Sequence, residues 1–271
     1  MVDALDIAAL DAVLADTPFA GKLRHFPTIP STNFLAMQEA ESGAAHGSVY
    51  LADEQTAGRG RGDHDWHSEA GSGIYLSVLL RPAVAPADVL WLSLAAGLAV
   101  HSAIQQVTTL EPDLRWPNDL LFGTRKFCGI LTELNAEVTR VRHVVIGIGI
   151  NVHQGAFRGE LRDSATSLRM ESGREWPRQE IVAALLQSLH RETIALTSSV
   201  TAAKAAADIP ERVEKISSWI RGKRVVVDEA ESFSGVTEGL DPRGFLLVRT
   251  SDGLRTVLSG GVREAKSNSF R

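Results

Sequence analysis

Residues 55–66, QTAGRGRGDHDW, alternate glycine with arginine, so that Arg59 and Arg61 each stand between two glycines. Glycine lets a backbone approach a ligand closely, and the guanidinium fork matches the paired oxygens of a phosphate or a carboxylate. The spacing is neither the dinucleotide-binding pattern G-x-G-x-x-G nor a P-loop, which ends in G-K-[ST]. The pattern predicts an anion-binding loop, although a solvated, flexible turn has the same composition.

The same segment also contains residue types that could bind a divalent metal. Asp63, His64, Asp65 and His67 lie within five residues of one another. Their spacing matches no strong metal motif, and in an extended loop the four side chains would converge only at a sharp bend. We expect them to lie on the surface or beside the arginines, and we predict no metal ligand.

Other polar residues further along the chain could also carry chemistry. Lys126 precedes an apolar run and could neutralise a phosphoryl or acyl-phosphate group, or simply keep its charge in water. Residues 116–119, Trp-Pro-Asn-Asp, form a rigid polar turn that could place the Asp119 carboxylate near a reacting amine. Residues 31–33, Ser-Thr-Asn, could cap a helix, and Asn151 could close a turn after glycine-containing residues 147–150. Each of these patterns, taken singly, has a purely structural explanation.

The elements that must position these residues follow from the hydrophobic periodicity. Short β-rich runs predict strands at 49–52, 74–80, 127–134 and 141–152, the last two paired as a hairpin. Apolar residues at helical spacing predict helices at 33–41, 88–107 and 178–197. Because hairpin-like connections outnumber helical crossovers, we expect an α+β fold, a mixed β-sheet flanked by helices, over residues 1–219.

The C-terminal part, residues 220–271, has a different sequence pattern. Four short alternating runs, at 223–227, 234–238, 245–249 and 254–258, are separated by turns such as Asp-Pro-Arg-Gly and Ser-Asp-Gly. This pattern predicts a small β-barrel of its own.

Length and composition exclude several classes of protein. The chain has 271 residues, a formal net charge of −5 and one cysteine, which excludes an internal disulfide and a multi-thiolate zinc site. The N-terminus has no basic region before an apolar run, and the most apolar stretch, residues 89–100, is too short to span a bilayer. We expect a cytoplasmic protein without a membrane or nucleic-acid partner.

Five blocks, taken together and in order, resemble the biotin protein ligases, and the resemblance covers roughly residues 24–265. The blocks are Ser31-Thr32-Asn33; Glu54-Gln55-Thr56-Ala57-Gly58-Arg59-Gly60-Arg61 with Trp66; Arg115-Trp116-Pro117-Asn118-Asp119; Arg125-Lys126-Phe127-Cys128-Gly129-Ile130-Leu131; and Gly147-Ile148-Gly149-Ile150-Asn151. The resemblance implies a catalytic domain related to class II aminoacyl-tRNA synthetases and lipoyl ligases, with an SH3-like β-barrel at the C-terminus.

The resemblance also implies a two-step reaction. Biotin and MgATP give biotinyl-5′-adenylate and pyrophosphate, and a lysine of the biotin carboxyl carrier domain of an acyl-CoA carboxylase then attacks the mixed anhydride. Because a carboxylate and a triphosphate repel each other, cations must hold them within reacting distance. Mg²⁺ would be carried mainly by the phosphates, so no protein ligand for it is named.

The implied site residues fall into three groups. Catalysis is assigned to Lys126, Arg61 and Asp119, with Lys126 bridging the biotin carboxylate and the α-phosphate and Asp119 orienting or deprotonating the carrier lysine. Biotin binding is assigned to Ser31, Thr32, Asn33, Gln55, Arg59, Gly60, Arg61 and Lys126. Nucleotide binding is assigned to Gly58, Arg59, Arg61, Trp66, Asn118, Lys126 and Asn151.

The sequence departs from the family in two places. The family loop has the pattern G-R-G-R-x-G-R-x-W, whereas Asp63 and His64 stand here in place of a glycine and an arginine. About 24 residues precede the region that the resemblance covers, fewer than the ~60 that a winged helix-turn-helix needs. We therefore expect the monofunctional type of ligase without an N-terminal DNA-binding domain. The oligomeric state is left open, a homodimer included.

Two alternatives accompany this interpretation. A lipoate or octanoate ligase or transferase shares the fold and the transfer of an acyl group to lysine, but the Gly-Arg-Gly-Arg loop and the Trp-Pro-Asn-Asp turn argue against it. Cys128 is also expected to be buried in the middle of a strand. The other alternative is a regulator that binds nucleotide or biotin without catalysis.

Overall fold

The structure is a computed structural model that describes residues 4–62, 64–197, 201–229 and 231–265. Asp63, one of the two departures in the arginine loop, lies outside the described residues.

The larger part of the chain is built on a mixed seven-stranded sheet. Its strands are β1 (Leu23–Ile29), β2 (Val49–Gln55), β3 (Gly73–Leu80), β4 (Asp113–Arg115), β5 (Asp119–Phe122), β6 (Arg125–Ala136) and β7 (Val141–Asn151). The order across the sheet is β1-β2-β3-β7-β6-β5-β4, with β1 parallel to β2 and all other neighbours antiparallel. The α+β class and the hairpin of β6 with β7 are confirmed, whereas β1, β4 and β5 were not predicted as strands.

Helices cover both faces of this sheet. They are α1 (Ile7–Val13), α2 (Thr32–Glu41), α3 (Val89–Thr108), α4 (Leu168–Ser172), α5 (Arg178–Thr197) and α6 (Ala202–Lys215). Strand residues alternate between the faces, so Val49 and Leu51 join the main core while Tyr50 joins a smaller cluster with α2. The main core contains α3 and α5, which pack against each other, and α2 packs on β2, β3 and β7. The sheet is therefore buried between helices.

Helix α3 corrects one expectation. The apolar segment 89–100 is only the first part of a 20-residue helix, and Pro86–Thr108 is long and apolar enough by length and composition to cross a membrane. The argument from insufficient length was therefore wrong. Of the most apolar 18-residue window, 72% is buried inside the protein, where α3 packs against α5 and α6. This is the environment of a core helix.

The C-terminal part forms a second, five-stranded antiparallel sheet. Its strands are β8 (Arg221–Asp228), β9 (Phe233–Leu240), β10 (Leu246–Thr250), β11 (Gly253–Val257) and β12 (Gly261–Glu264), in the order β11-β10-β9-β8-β12. The four predicted strands are confirmed, and β12 is an additional one. The division of the chain between residues 219 and 220 stays a prediction.

Polar contacts join the second sheet to the turn between β4 and β5. The Trp116 indole N–H donates to the Gly244 carbonyl at 2.9 Å, and the Arg115 guanidinium lies 5.3 Å from the centre of the Trp219 ring. The turn that carries Asn118 thus contacts the segment between β9 and β10 through Trp116.

Candidate functional site

A cleft opens over β6 and β7, between the start of α2 and the arginine loop. Its empty volume, part of which is open to solvent, is about 450 Å³. Ten of the predicted site residues line it: Ser31, Thr32, Asn33, Gln55, Arg59, Gly60, Arg61, Trp66, Asn118 and Lys126. Segments far apart in the sequence therefore meet at one place.

Paired glycines form the floor of the cleft. Gly129 of β6 lies opposite Gly149 of β7, and the Trp66 indole lies directly on this pair. A Cβ atom on Gly149 would come within 2.4 Å of the indole, and one on Gly147 within 2.1 Å of Asn33 Oδ1. Any larger residue at these two positions would displace a side chain that lines the cleft.

Lys126 forms an ion pair in the wall of the cleft. Its Nζ lies 2.5 Å from Asp119 Oδ1, and Asp119 Oδ2 accepts a hydrogen bond from Arg115 at 2.7 Å. The Lys126 side chain is 30% exposed and lies over the Trp66 ring, 5.3 Å from its centre. The ammonium group therefore reaches the cleft while a partly buried carboxylate holds it from behind, so Lys126 does not face the surrounding water as an ordinary surface lysine would.

The pKa of Asp119 follows from this environment. Burial by itself would raise the pKa of the carboxyl, but Lys126 and Arg115 outweigh the burial and hold the pKa below its usual value. A carboxylate that binds two cations and has a lowered pKa is a weak proton acceptor. The geometry favours a role in orienting Lys126 over one in deprotonating an incoming amine.

The two loop arginines lie on different sides of the cleft. The Arg61 Nη1 donates to Asn118 Oδ1 at 3.1 Å and to the carbonyl of Gly260, directly before β12, at 3.4 Å. Burial lowers the pKa of Arg61, which Asp119 partly offsets. Arg59 is half exposed, and its Nη2 lies 3.5 Å from Glu133 Oε1. Three cations, Arg59, Arg61 and Lys126, thus converge on the cleft.

Uncharged polar groups at the start of α2 and the end of β2 also line the cleft. Ser31 caps α2, since its Oγ accepts the Phe34 N–H at 3.4 Å. Gln55 Oε1 accepts the Thr32 N–H at 2.8 Å, and its Nε2 donates to Ser68 Oγ at 3.0 Å. The predicted helix cap and the predicted binding residues therefore coincide at the start of α2.

Gly58, Asp119 and Asn151 do not line the cleft. A Cβ atom on Gly58 would come within 2.4 Å of the Trp66 carbonyl, so this glycine lets the two ends of the loop approach. Asn151 Nδ2 donates to the Thr166 carbonyl at 3.0 Å, and the Thr166 N–H donates to the Lys126 carbonyl at 2.9 Å. Gly58 and Asn151 support the loop and the Lys126 backbone, and their direct contact with a nucleotide stays a prediction.

The sequence analysis missed Ser77 and Glu133. Ser77 is the one polar residue in the apolar run of β3 and is fully buried, and its hydroxyl lies 2.8 Å from Thr32 Oγ1. Glu133 Oε2 accepts a hydrogen bond from Asn33 Nδ2 at 2.9 Å. A polar residue inside an otherwise apolar strand is the signal that would have found Ser77, since buried polar groups need partners.

The tip of the arginine loop is a tight turn. The Gly60 N–H donates to the His64 carbonyl at 2.7 Å, and Gly62 has a φ of +63°.

Within the part of the chain that the structure describes, no three His, Cys, Asp or Glu side chains are arranged to hold a metal ion.

Two family models match the chain. The model of the "Biotin/lipoate A/B protein ligase family" matches residues 25–151, and the "Biotin protein ligase C terminal domain" matches residues 221–262. The first match covers most of the cleft, and the second covers most of the C-terminal sheet.

Similar proteins indicate the same family as the two family models. The chain is 36% identical over 237 residues to a bifunctional ligase/repressor of Bacillus spizizenii, covering 86% of this chain and 71% of the relative. It is 35% identical to the biotin–[acetyl-CoA-carboxylase] ligase of Mycobacterium tuberculosis, covering 85% of this chain and 84% of the relative. The structure of a biotin protein ligase from Aquifex aeolicus in complex with biotin and ATP matches with a TM-score of 0.77 and 28% identity, covering 90% of this chain and all of that one.

Proposed function

Because the chain belongs to the biotin protein ligase family, we propose that it activates biotin with ATP and transfers the biotinyl group to a lysine of a biotin carboxyl carrier domain. The observation that carries this proposal is the division of the cleft. The Lys126 ammonium lies beside Gly129, whereas Asn33 at the start of α2 lies beside Gly147, so charged and uncharged polar groups contact different parts of the floor. The first part suits a carboxylate with phosphates, and the second suits a neutral polar head group.

In the first step a biotin carboxylate oxygen forms a bond to the α-phosphorus, and the bond to the pyrophosphate oxygen breaks. Lys126 and Arg61 both line the cleft, and we assign Lys126 to binding both anions and Arg61 to adding a second charge. Cations held in place before the reaction offset the repulsion between the reactants and the charge that develops on the leaving pyrophosphate. ATP would enter with Mg²⁺ carried on its phosphates.

In the second step the amine of the carrier lysine attacks the acyl carbon. A carbon–nitrogen bond forms, the bond from the acyl carbon to the phosphate oxygen breaks, AMP leaves, and the amine loses a proton. Asp119 is bound to two cations and has a lowered pKa, so we assign it to holding Lys126 in place rather than to accepting this proton.

The closest rival function is the activation or transfer of lipoate or octanoate. A transferase that stores the acyl group on cysteine needs a reactive thiolate, but Cys128 is fully buried and burial raises the pKa of its thiol. ATP–pyrophosphate exchange with biotin, and little with octanoate, is the expected result. Exchange that responds to octanoate and not to biotin would refute the proposal.

A non-catalytic binding protein is the remaining alternative. With labelled biotin, ATP and a carrier domain, we expect the label to become covalently attached to the carrier lysine. A carrier with this lysine replaced by arginine is the control. If the label binds to the chain but never reaches the carrier, the binding interpretation is correct. We place the reaction in the cytoplasm, and a homodimer stays a prediction.

The arginine loop leads to a prediction about the intermediate. An acid near the adenylate adds repulsion, and His64 replaces a permanent cation, so Asp63→Gly with His64→Arg should slow the escape of biotinyl-5′-adenylate by about three- to tenfold. Stopped-flow measurement of adenylate dissociation tests this. Asp252→Gly with Ser251→Arg, in an exposed turn, makes the same change of charge far along the chain and should leave the rate unchanged. Equal retention by the loop variant and the parent chain would refute the prediction.

A further inference from the structure

Arg178, the first residue of α5, has the largest fully buried side chain among the residues that the structure describes. It does not line the cleft. Burying a guanidinium group is unfavourable, and a cation in the first turn of a helix lies at the positive end of the helix dipole. An apolar side chain of similar size would avoid both penalties, so the reason for an arginine here lies in its contacts.

Arg178 joins two strands at the point where they stop pairing with each other. The pairing between β2 and β3 ends at Ala52 opposite Tyr75. Beyond this pair, Arg178 Nη1 donates to Asp53 Oδ1 at 3.2 Å and to the Gly73 carbonyl at 3.1 Å. One nitrogen of the guanidinium group therefore connects the last part of β2 to the first residue of β3.

These two strand ends are also the base of the arginine loop. Residues 56–72 run from β2 to β3 and include the arginines and the tryptophan that line the cleft. The Gly71 N–H donates to the Asp53 carbonyl at 3.1 Å, which closes the base through the backbone as well. Arg178 therefore fixes the point from which the loop extends over the cleft.

Asp53 supplies the negative charge that the buried arginine needs. Its Oδ1 accepts from Arg178, and its Oδ2 lies 2.9 Å from His25 Nε2 of β1. Replacing a buried ion pair by apolar side chains of similar size is often neutral or even stabilising. Hydrogen bonds have a preferred direction, whereas apolar contacts have none. The pair thus contributes a fixed geometry at the base of the loop more than it contributes stability.

We propose that Arg178 is a positioning residue that fixes the base of the arginine loop, so that the loop retains biotinyl-5′-adenylate in the cleft. This inference rests on the proposed function, because the adenylate is the intermediate that must stay bound until the carrier lysine arrives. Without Arg178, the base is held by backbone hydrogen bonds alone, and the loop moves away from the cleft more often.

The retention of the adenylate depends on this base more than its formation does. Lys126 lies on β6, outside the loop. Arg61 is bound by Asn118 and by the Gly260 carbonyl, both of which are independent of Arg178. The cations assigned to the first step therefore keep partners when the base loosens, and the main effect falls on the escape of the intermediate.

Arg178→Met, which keeps the bulk of the side chain and removes its charge, is the first test on the full chain. We expect biotinyl-5′-adenylate to dissociate at least tenfold faster in stopped flow, while its single-turnover formation at saturating biotin and ATP stays within threefold. Arg191→Met, at an exposed position of α5, is the matched control and should change neither rate. Dissociation within twofold of the parent rate would overturn the inference. A parent chain that forms no adenylate would instead refute the proposed function.

Hydrogen exchange tests the positioning role without any ligand. In Arg178→Met, the backbone amides of residues 56–72 should exchange at least fivefold faster than in the parent chain, because the loop has lost its anchor. The amides of α3, which packs against α5 in the main core, should exchange at the parent rate. Equally faster exchange in both segments would show a general loss of packing and contradict the inference.

Replacing the whole ion pair separates geometry from the neutralisation of a buried charge. Arg178→Met with Asp53→Leu removes both charges and leaves no unpaired carboxylate, so we expect it to melt at or above the temperature of Arg178→Met. The adenylate should still dissociate at least tenfold faster than from the parent chain, even where Arg178→Met alone fails to fold. A double variant that retains the adenylate as the parent chain does would show that Arg178 only neutralises Asp53, and the inference would be wrong.

Discussion

Replacing Lys126 with alanine is expected to slow biotin-dependent ATP–pyrophosphate exchange by about 10²–10³-fold, the usual cost of removing one fixed group that stabilises developing charge. Lys126 is the cation that reaches the cleft from the Asp119 side, so its loss leaves the biotin carboxylate and the α-phosphate facing each other with less neutralising charge. Single-turnover formation of biotinyl-5′-adenylate measures the chemical step directly.

The substitution also affects the fold, because Asp119 loses one of its two cations. Arg115 remains 2.7 Å from the carboxylate, so we expect a lower melting temperature and a chain that still folds. Lys215→Ala, on the exposed face of α6, is the matched control for the loss of a lysine. If Lys126→Ala folds and still exchanges pyrophosphate at a rate near that of the parent chain, the catalytic assignment is wrong. Lys126 would then be an ordinary lysine at the start of a strand.

Asp119→Asn is the second substitution with a large expected effect. The amide keeps the shape of the side chain but no longer binds Lys126 and Arg115 as an anion, so Lys126 loses its fixed position. A misplacement of about 1 Å costs roughly 10²-fold in rate, and we expect a loss of this size in adenylate formation. Asp252→Asn, which makes the same change in an exposed turn outside the lining of the cleft, is the matched control and should leave the rate near the parent value.

The lowered pKa of Asp119 gives this prediction a pH dependence. A carboxylate whose pKa is lower in the folded than in the unfolded chain stabilises the fold above its unfolded pKa, about 3.9, and this stabilisation is lost as the pH falls through the folded pKa. The difference in melting temperature between the parent chain and Asp119→Asn should be constant from pH 6 to 8 and shrink only below about pH 4. A difference that changes steadily between pH 6 and 8 would show that Asp119 titrates there.

The sequence predicted the elements with strong periodicity and the residues with an unusual local pattern. Helix α5 has the predicted bounds, and the hairpin of β6 with β7 is present. Lys126 was noticed because it precedes an apolar run, and the arginine loop because glycine and arginine alternate. These signals lie within a few neighbouring residues, where periodicity and turn chemistry are informative.

The strands and polar contacts that the sequence did not predict depend on contacts between distant segments. Strands β4 and β5 are only three and four residues long, too short to show a period. The link between Asn33 and Glu133 joins residues 100 positions apart, and that between Thr32 and Ser77 spans 45. The contact of Arg61 with Gly260 joins the loop to the segment directly before β12. Which polar groups meet in the core is decided by the packing of the sheet.

The loop arginines and Lys126 are expected to draw two mutually repelling anions into one cleft. A crystal structure of the full chain with biotin and a non-hydrolysable ATP analogue tests it most directly. We predict that the Lys126 ammonium lies within hydrogen-bond distance of both the biotin carboxylate and the α-phosphate, with Arg61 on the phosphates. Ligands bound elsewhere, with these cations directed away from them, would contradict the account.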